Sequence, residues 1–175
     1  MYFFVKSIAI HIFPQYNPIW DLNGGLFMKN ESLNLINDIN RAIIQIRGIY
    51  SAWSAAHGIS YHEMLVLYTI REFGFCTQKQ ICDSYLLPRQ TINNVIAGMR
   101  KKGVLTYSRE HSIGREKAFV LSETGAAYVT PLLASLDVME SGALAQFGSD
   151  RLSALTHLLL EYNKTLNKIM DETKE

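Results

Sequence analysis

The chain has too few cysteines, and at the wrong spacing, for a CxxC motif or a thiolate metal site: Cys76 and Cys82 are its only two, six positions apart. Its five histidines (11, 57, 62, 111 and 157) are scattered. HExxH, a Gly-rich phosphate loop and a nucleophile elbow are all missing, so no enzyme, cofactor or metal is expected. Long apolar runs are missing too. A membrane span needs about 20 apolar residues, whereas the opening MYFFVKSIAIHIFPQ is broken by His11 and Pro14. No small-x-small cleavage pattern follows it, which sets a signal peptide aside. Two cysteines without an export signal point to a reducing cytoplasm. Thiol sensing by Cys82 is disfavoured, because lone helix cysteines are most often buried and inert. There is no internal repeat or low-complexity run, and 175 residues suffice for one compact domain with a real core.

Net charge is also scarce, at +1, but it is unevenly spread. Residues 77 to 121 hold eight Lys or Arg (79, 89, 100, 101, 102, 109, 115, 117) against three acids (83, 110, 116), a local +5 that leaves −4 for the remainder. A basic lobe joined to an acidic one favours nucleic acid at one end. Within it, Pro88 fits the first turn of a helix and Gly103 the position just after its end. Between them Ile92, Val95, Ile96 and Met99 recur at helical spacing. The opposite face carries Arg89, Gln90, Thr91, Asn93, Asn94, Arg100, Lys101 and Lys102, with amides and cations but no carboxylate. Asn and Gln can bond both N6 and N7 of adenine, while Arg and Lys suit guanine or phosphate.

After Gly103, VLTYSR and KAFVL read as two strands joined through EHSIGRE, with Gly114 as the turn signal. Arg109, His111, Arg115 and Lys117 cluster near the tip of this hairpin. Upstream, Thr77 is an N-cap for a short helix, QKQICDSY, and Leu86, Leu87 and Pro88 turn the chain into the next. A helix-turn-helix with a wing results. Tyr61 to Phe73 is an amphipathic helix, with Ser60 and Glu63 at capping-box spacing. Beyond the wing, Thr130-Pro131 predicts a kink or break. Ser141-Gly142 and Gly148-Ser149 predict a loosened stretch before a new helix.

Residues 31 to 170 resemble a MarR-family transcriptional regulator, on the order of elements, RKKGVL closing the reader helix, Arg115 in the wing and LSETG opening the next helix. The resemblance implies a mainly α fold with a small β-hairpin wing and a homodimer. It also implies an effector pocket between dimer helices and DNA-binding lobe for a small amphipathic or anionic ligand, with Trp53, His57, Tyr61 and Arg71 as liners. Two departures stand out. Ile113 occupies the position of the family's wing Asp, two residues before its Arg, and Asn93-Asn94 replace its Thr-Arg or Ser-Arg pair, so no operator sequence carries over.

The ends support the dimer independently. Ile36, Ile39, Ile43, Ile46, Tyr50 and Trp53 form one seam, and Leu152, Leu155, Leu159, Tyr162, Leu166 and Ile169 another. A lobe as small as 60–125 cannot cover both, whereas a second copy can. The expected organisation is an extension, 1–27, followed by a single MarR-like domain, 28–175. Within that domain, 31–58 and 126–172 are dimerisation helices and 60–125 is the winged-helix lobe. The aromatic-rich extension reads as an ordered arm, a disordered tail, or a non-native stretch before an internal start at Met28; if translated, so many aromatics favour packing over a floating tail.

The expected function is ligand-responsive repression at a pseudo-palindromic operator in double-stranded DNA, with no membrane partner. Base readers are Arg89, Gln90, Asn93 and Asn94. Thr77, Gln78, Thr91, Lys101, Lys102, Arg109, His111 and Arg115 meet the backbone or minor groove. The alternative is a winged-helix protein-interaction module that reads no bases.

Overall fold

The computed structural model describes residues 31–174 and two short strands before them, β1 (Ile19–Trp20) and β2 (Leu26–Phe27). The strands pair antiparallel, Ile19 opposite Phe27 and Trp20 opposite Leu26. The three readings of the extension otherwise fall outside the described residues. The chain divides into two units, Met1–Gly58 and Ile59–Glu175.

The first unit contains helix α1 (Glu31–Ala56). Its apolar surface is broader than the predicted seam: besides Ile36, Ile43 and Ile46, Leu35, Ile44 and Ile49 are exposed. At its end the His57 amide donates to Trp53 and the Gly58 amide to Ala55, and Gly58 turns the chain at φ +73°.

The second unit is the winged lobe with two further helices. Helix α2 (Tyr61–Phe73) starts on the predicted capping box. The Ser60 hydroxyl accepts from the Glu63 amide at 3.1 Å, and the Glu63 carboxylate accepts from the Ser60 amide at 2.8 Å. Met64, Leu65, Val66, Leu67 and Ile70 make α2 the centre of the core. Ser60→Ala removes one of those bonds and is expected to lower stability by about 1 kcal/mol, measured by urea titration, with DNA binding unchanged.

Thr77 and Gln80 form the second capping box, opening α3 (Gln78–Tyr85). Helix α4 (Arg89–Lys101) follows, with Pro88 as its N-cap, and buries Ile92, Ile96 and Met99. Gly103, at φ +74°, then frees the chain to begin β4 (Leu105–Ile113), which returns through Gly114 as β5 (Glu116–Leu121). The sheet has a third strand that sequence patterning did not show: β3 (Cys76–Thr77) pairs with β5, giving the order β3-β5-β4. Burial pushes the Cys76 thiol up to about 12 and raises that of Cys82, so both sulfurs are held as inert thiols.

Helix α5 (Glu123–Phe147) begins on Ser122, whose hydroxyl accepts from the Gly125 amide at 2.8 Å. A Cβ on Gly125 would run into the Val104 carbonyl, which explains glycine at this point of LSETG. At Pro131, where a kink or break is expected, the helix is not broken. The proline withdraws only one helical donor, from the Ala127 carbonyl, while buried Val129 and Leu132 on either side hold the helix in place. Ser141-Gly142 also lies within α5; the interruption comes only at Gly148, φ +94°, before α6 (Ser149–Glu172). No residue of α6 is buried. Mainly α, with six helices among the described residues and a three-stranded antiparallel sheet, this is the expected winged helix-turn-helix class.

Candidate nucleic-acid interface

Helix α4 has two adjacent polar stripes. Arg89, Asn93, Ala97 and Arg100 lie along one of them, and together with Gln78 and Lys79 of α3 and Arg115, Glu116 and Lys117 of the wing they enclose a recess of about 430 Å³. Ile96 and Phe119 form its apolar floor. The second stripe carries Gln90 and Asn94, whose amides join at 3.0 Å, and Lys101 at its far end. All of these α4 polar residues are exposed.

Five cations therefore line the recess with a single acid, Glu116, whose carboxylate accepts a hydrogen bond from the Thr77 hydroxyl; one of the five, Lys79, is also paired with Asp83 at 2.9 Å on its own helix. A neighbouring hydroxyl thus engages the one carboxylate on an otherwise cationic surface. Gln78 ties the two helices together by donating to the Arg89 carbonyl at 2.8 Å. The Arg100 guanidinium lies 5.5 Å from the Phe119 ring centre, so the ring supports the cation from below. Sequence reasoning noted Lys79, Arg100 and Lys117 as basic but assigned them no contact; their convergence depends on how α3, α4 and β5 pack.

Other expected contacts are engaged elsewhere. Thr77 is buried, and its hydroxyl also accepts from the Gln80 amide at 3.0 Å. Lys102 reaches Glu63 at 2.7 Å. Burial alone would raise the Glu63 carboxyl, but hydrogen bonds from Lys102 and Ser60, with the Lys102 charge, leave it below its usual range. Thr91 is half-buried and Arg109 is exposed on the wing. His111 is part of the wing's own bracing: its Nδ1 is 2.8 Å from the Ser108 hydroxyl, and its ring lies 4.6 Å from that of Phe75.

Of the expected effector residues, two belong to each unit. On the first unit, the Trp53 and His57 rings stack at 4.2 Å, and His57 Nδ1 is 2.8 Å from the Trp53 carbonyl. On the second, Tyr61 and Arg71 are ten residues apart on α2, about 15 Å along its axis. Arg71 is already neutralised by Asp137 at 2.5 Å and Glu140 at 3.5 Å, and its guanidinium lies 4.5 Å over the Tyr68 ring. Among the described residues, no helix is long and apolar enough to cross a membrane.

Residues 57–115, which span α2 to α4 and most of the wing, match a family model described as the MarR family. Comparison with curated proteins gives no match. Among solved structures the chain is similar to a MarR family regulator from Neisseria meningitidis, at 27% identity over 79% of this chain and 98% of that one, with a TM-score of 0.72. It also resembles a MarR/EmrR family transcriptional regulator from Acinetobacter, at 17% identity over 79% and 99%, TM-score 0.65. A third is BpsR of Bordetella bronchiseptica, whose DNA binding is regulated by 6-hydroxynicotinic acid, at 16% identity over 74% and 98%, TM-score 0.59. The last two likenesses concern the fold. Together with the family model, the Neisseria structure bears out the MarR-family resemblance, in a family of regulators rather than enzymes.

Proposed function

We propose that this MarR-like chain is a cytoplasmic, sequence-specific DNA-binding transcriptional regulator, a ligand-responsive repressor acting as a homodimer on a pseudo-palindromic operator. One observation carries the reading: the surface joining α4 to the wing presents Lys79, Arg89, Arg100, Arg115 and Lys117 around exposed Asn93, with its one acid engaged. A protein-binding face has no need of that composition, whereas a duplex needs cations for phosphates and amides for bases. Arg89, Gln90, Asn93 and Asn94 are the proposed base readers. Gln78, Thr91, Lys101, Arg109 and Arg115, joined by Arg100 and Lys117, are the proposed backbone and minor-groove contacts. Thr77, Lys102 and His111 serve by bracing the elements that carry them.

The proposed effector is a small amphipathic or anionic molecule, of the kind that 6-hydroxynicotinic acid represents for BpsR. At Arg71 an anion would compete with Asp137 and Glu140, loosening the tie between α2 and α5 and shifting the population of reader positions. Nuclease footprinting on the DNA upstream of the chain's own gene tests the regulator. The expected result is protection of an inverted repeat whose half-sites lie about one helical turn apart. Uniform binding to every fragment, without a protected repeat, would overturn it.

A further inference from the structure

The tip of the wing is more apolar than a loop that only follows phosphates requires. Ile113 is 81% exposed, in a hairpin whose neighbouring side chains include Arg109, Arg115 and Lys117. Isolated exposed apolar residues are common on protein surfaces and carry no meaning by themselves. Here the surroundings add one. Regular pairing ends at Ser108 opposite Ala118 and resumes at Ile113 opposite Glu116, so residues 109–112 of β4 bulge past Lys117 alone. The bulge is closed by side chains: the Ser112 hydroxyl donates to the Ser108 carbonyl at 2.6 Å and accepts from the Ala118 amide at 2.9 Å. His111 braces it from the other side, between the Ser108 hydroxyl and the Phe75 ring. Glu116, the strand partner of Ile113, is held by Thr77 at the start of α3. Ile113 is thus an apolar side chain at the end of a hydrogen-bonded bulge, two residues from Arg115, which borders the same recess as Asn93.

We propose that Ile113 is a wedge: on operator DNA it enters the minor groove beside Arg115 and presses against a base step, favouring flexible pyrimidine–purine steps in the flanks of each half-site. Apolar side chains on a firm support kink DNA in this way, at a deformation cost that depends on the step deformed. The Arg115, Arg109 and Lys117 charges draw the flanking phosphates toward the same tip.

This inference rests on the DNA-binding reading, and its test separates the two. The probe is the duplex that the full wild-type chain selects from a randomised pool. Ile113→Ser, which changes only an exposed side chain, is expected to bind that duplex roughly 5- to 10-fold more weakly, in line with the loss of one base-step contact. It should also bend the duplex less by end-to-end fluorescence transfer, accept any step in the flanks on reselection, and bind a random duplex as the wild type does. Unchanged affinity, bend and flank preference would overturn the wedge alone. A pool from which the wild type selects no consensus would overturn the regulator reading and the wedge with it.

Discussion

Ile43→Asp combined with Leu159→Asp is expected to convert a dimer that persists at micromolar concentration into monomers, and to remove operator binding with it. Ile43 is 44% exposed on α1, and α6, which carries Leu159, buries no residue at all. Leu152, Leu155, Leu166 and Ile169 on α6, and Ile36 and Ile46 on α1, are likewise exposed. Helices with that much apolar surface open to water have no reason to persist alone, and an isologous contact with a second copy is the proposed cover. Placing an aspartate at two seam positions per protomer puts four charges into one dimer. At about 1.5 kcal/mol for each lost apolar contact, the interface weakens by roughly 6 kcal/mol, or four orders of magnitude in Kd. Because Ile43 is exposed and Leu159 only half-buried in the single chain, the variant keeps its winged lobe, which circular dichroism should show. Sedimentation finding a stable wild-type monomer would sink the dimer and the two-half-site operator together.

What could be read beforehand was whatever the chain encodes over a few residues. The capping box at Ser60/Glu63 and the N-cap at Thr77 are formed, because a cap needs only a hydroxyl next to the first free amides of the helix; that Gln80 completes a second box at Thr77 is added by the structure. Gly103 and Gly114 take the positive φ their positions demand. What the sequence does not show depends on distant partners. Strand β3 is two residues long and exists only because β5, some 40 residues later, lies beside it. The bulge at 109–112 follows from how Ser108, Ser112 and His111 bond one another, not from any turn residue. At Pro131 the helix continues, because the packing of Val129 and Leu132 outweighs one missing donor.

The candidate site divides the same way. Its polar, acid-free helix face was legible as composition and spacing. Which of its cations are already engaged was not, since Lys102 is claimed by Glu63 through tertiary packing. Conversely, Arg100 and Lys117 join the recess from α4 and β5 only once Phe119 lies between them.

Reading and positioning are expected to separate cleanly between α4 and the wing. Asn93 borders the recess, and Asn94 lies on the adjacent stripe with its amide bonded to Gln90, so the two act in different surroundings. Asn93→Ala and Asn94→Ala should each cost ~1 to 3 kcal/mol on the selected operator and flatten discrimination among sequences, because a bidentate amide–adenine contact is lost. Gln90→Ala should be non-additive with Asn94→Ala, since either change frees the other amide. Arg115 has a different task. It is exposed at the wing tip, without an ion-pair partner among the described residues, and so presents its full charge to the duplex. Arg115→Ala should weaken operator and random DNA evenly and lower the salt slope by about one charge per subunit. Titrations at several salt concentrations, on operator and on random duplex, distinguish these outcomes. Equal losses on both duplexes for the two Asn variants would mean that α4 positions the protein without reading bases, and would return the chain to the class of winged-helix proteins that recognise something other than sequence.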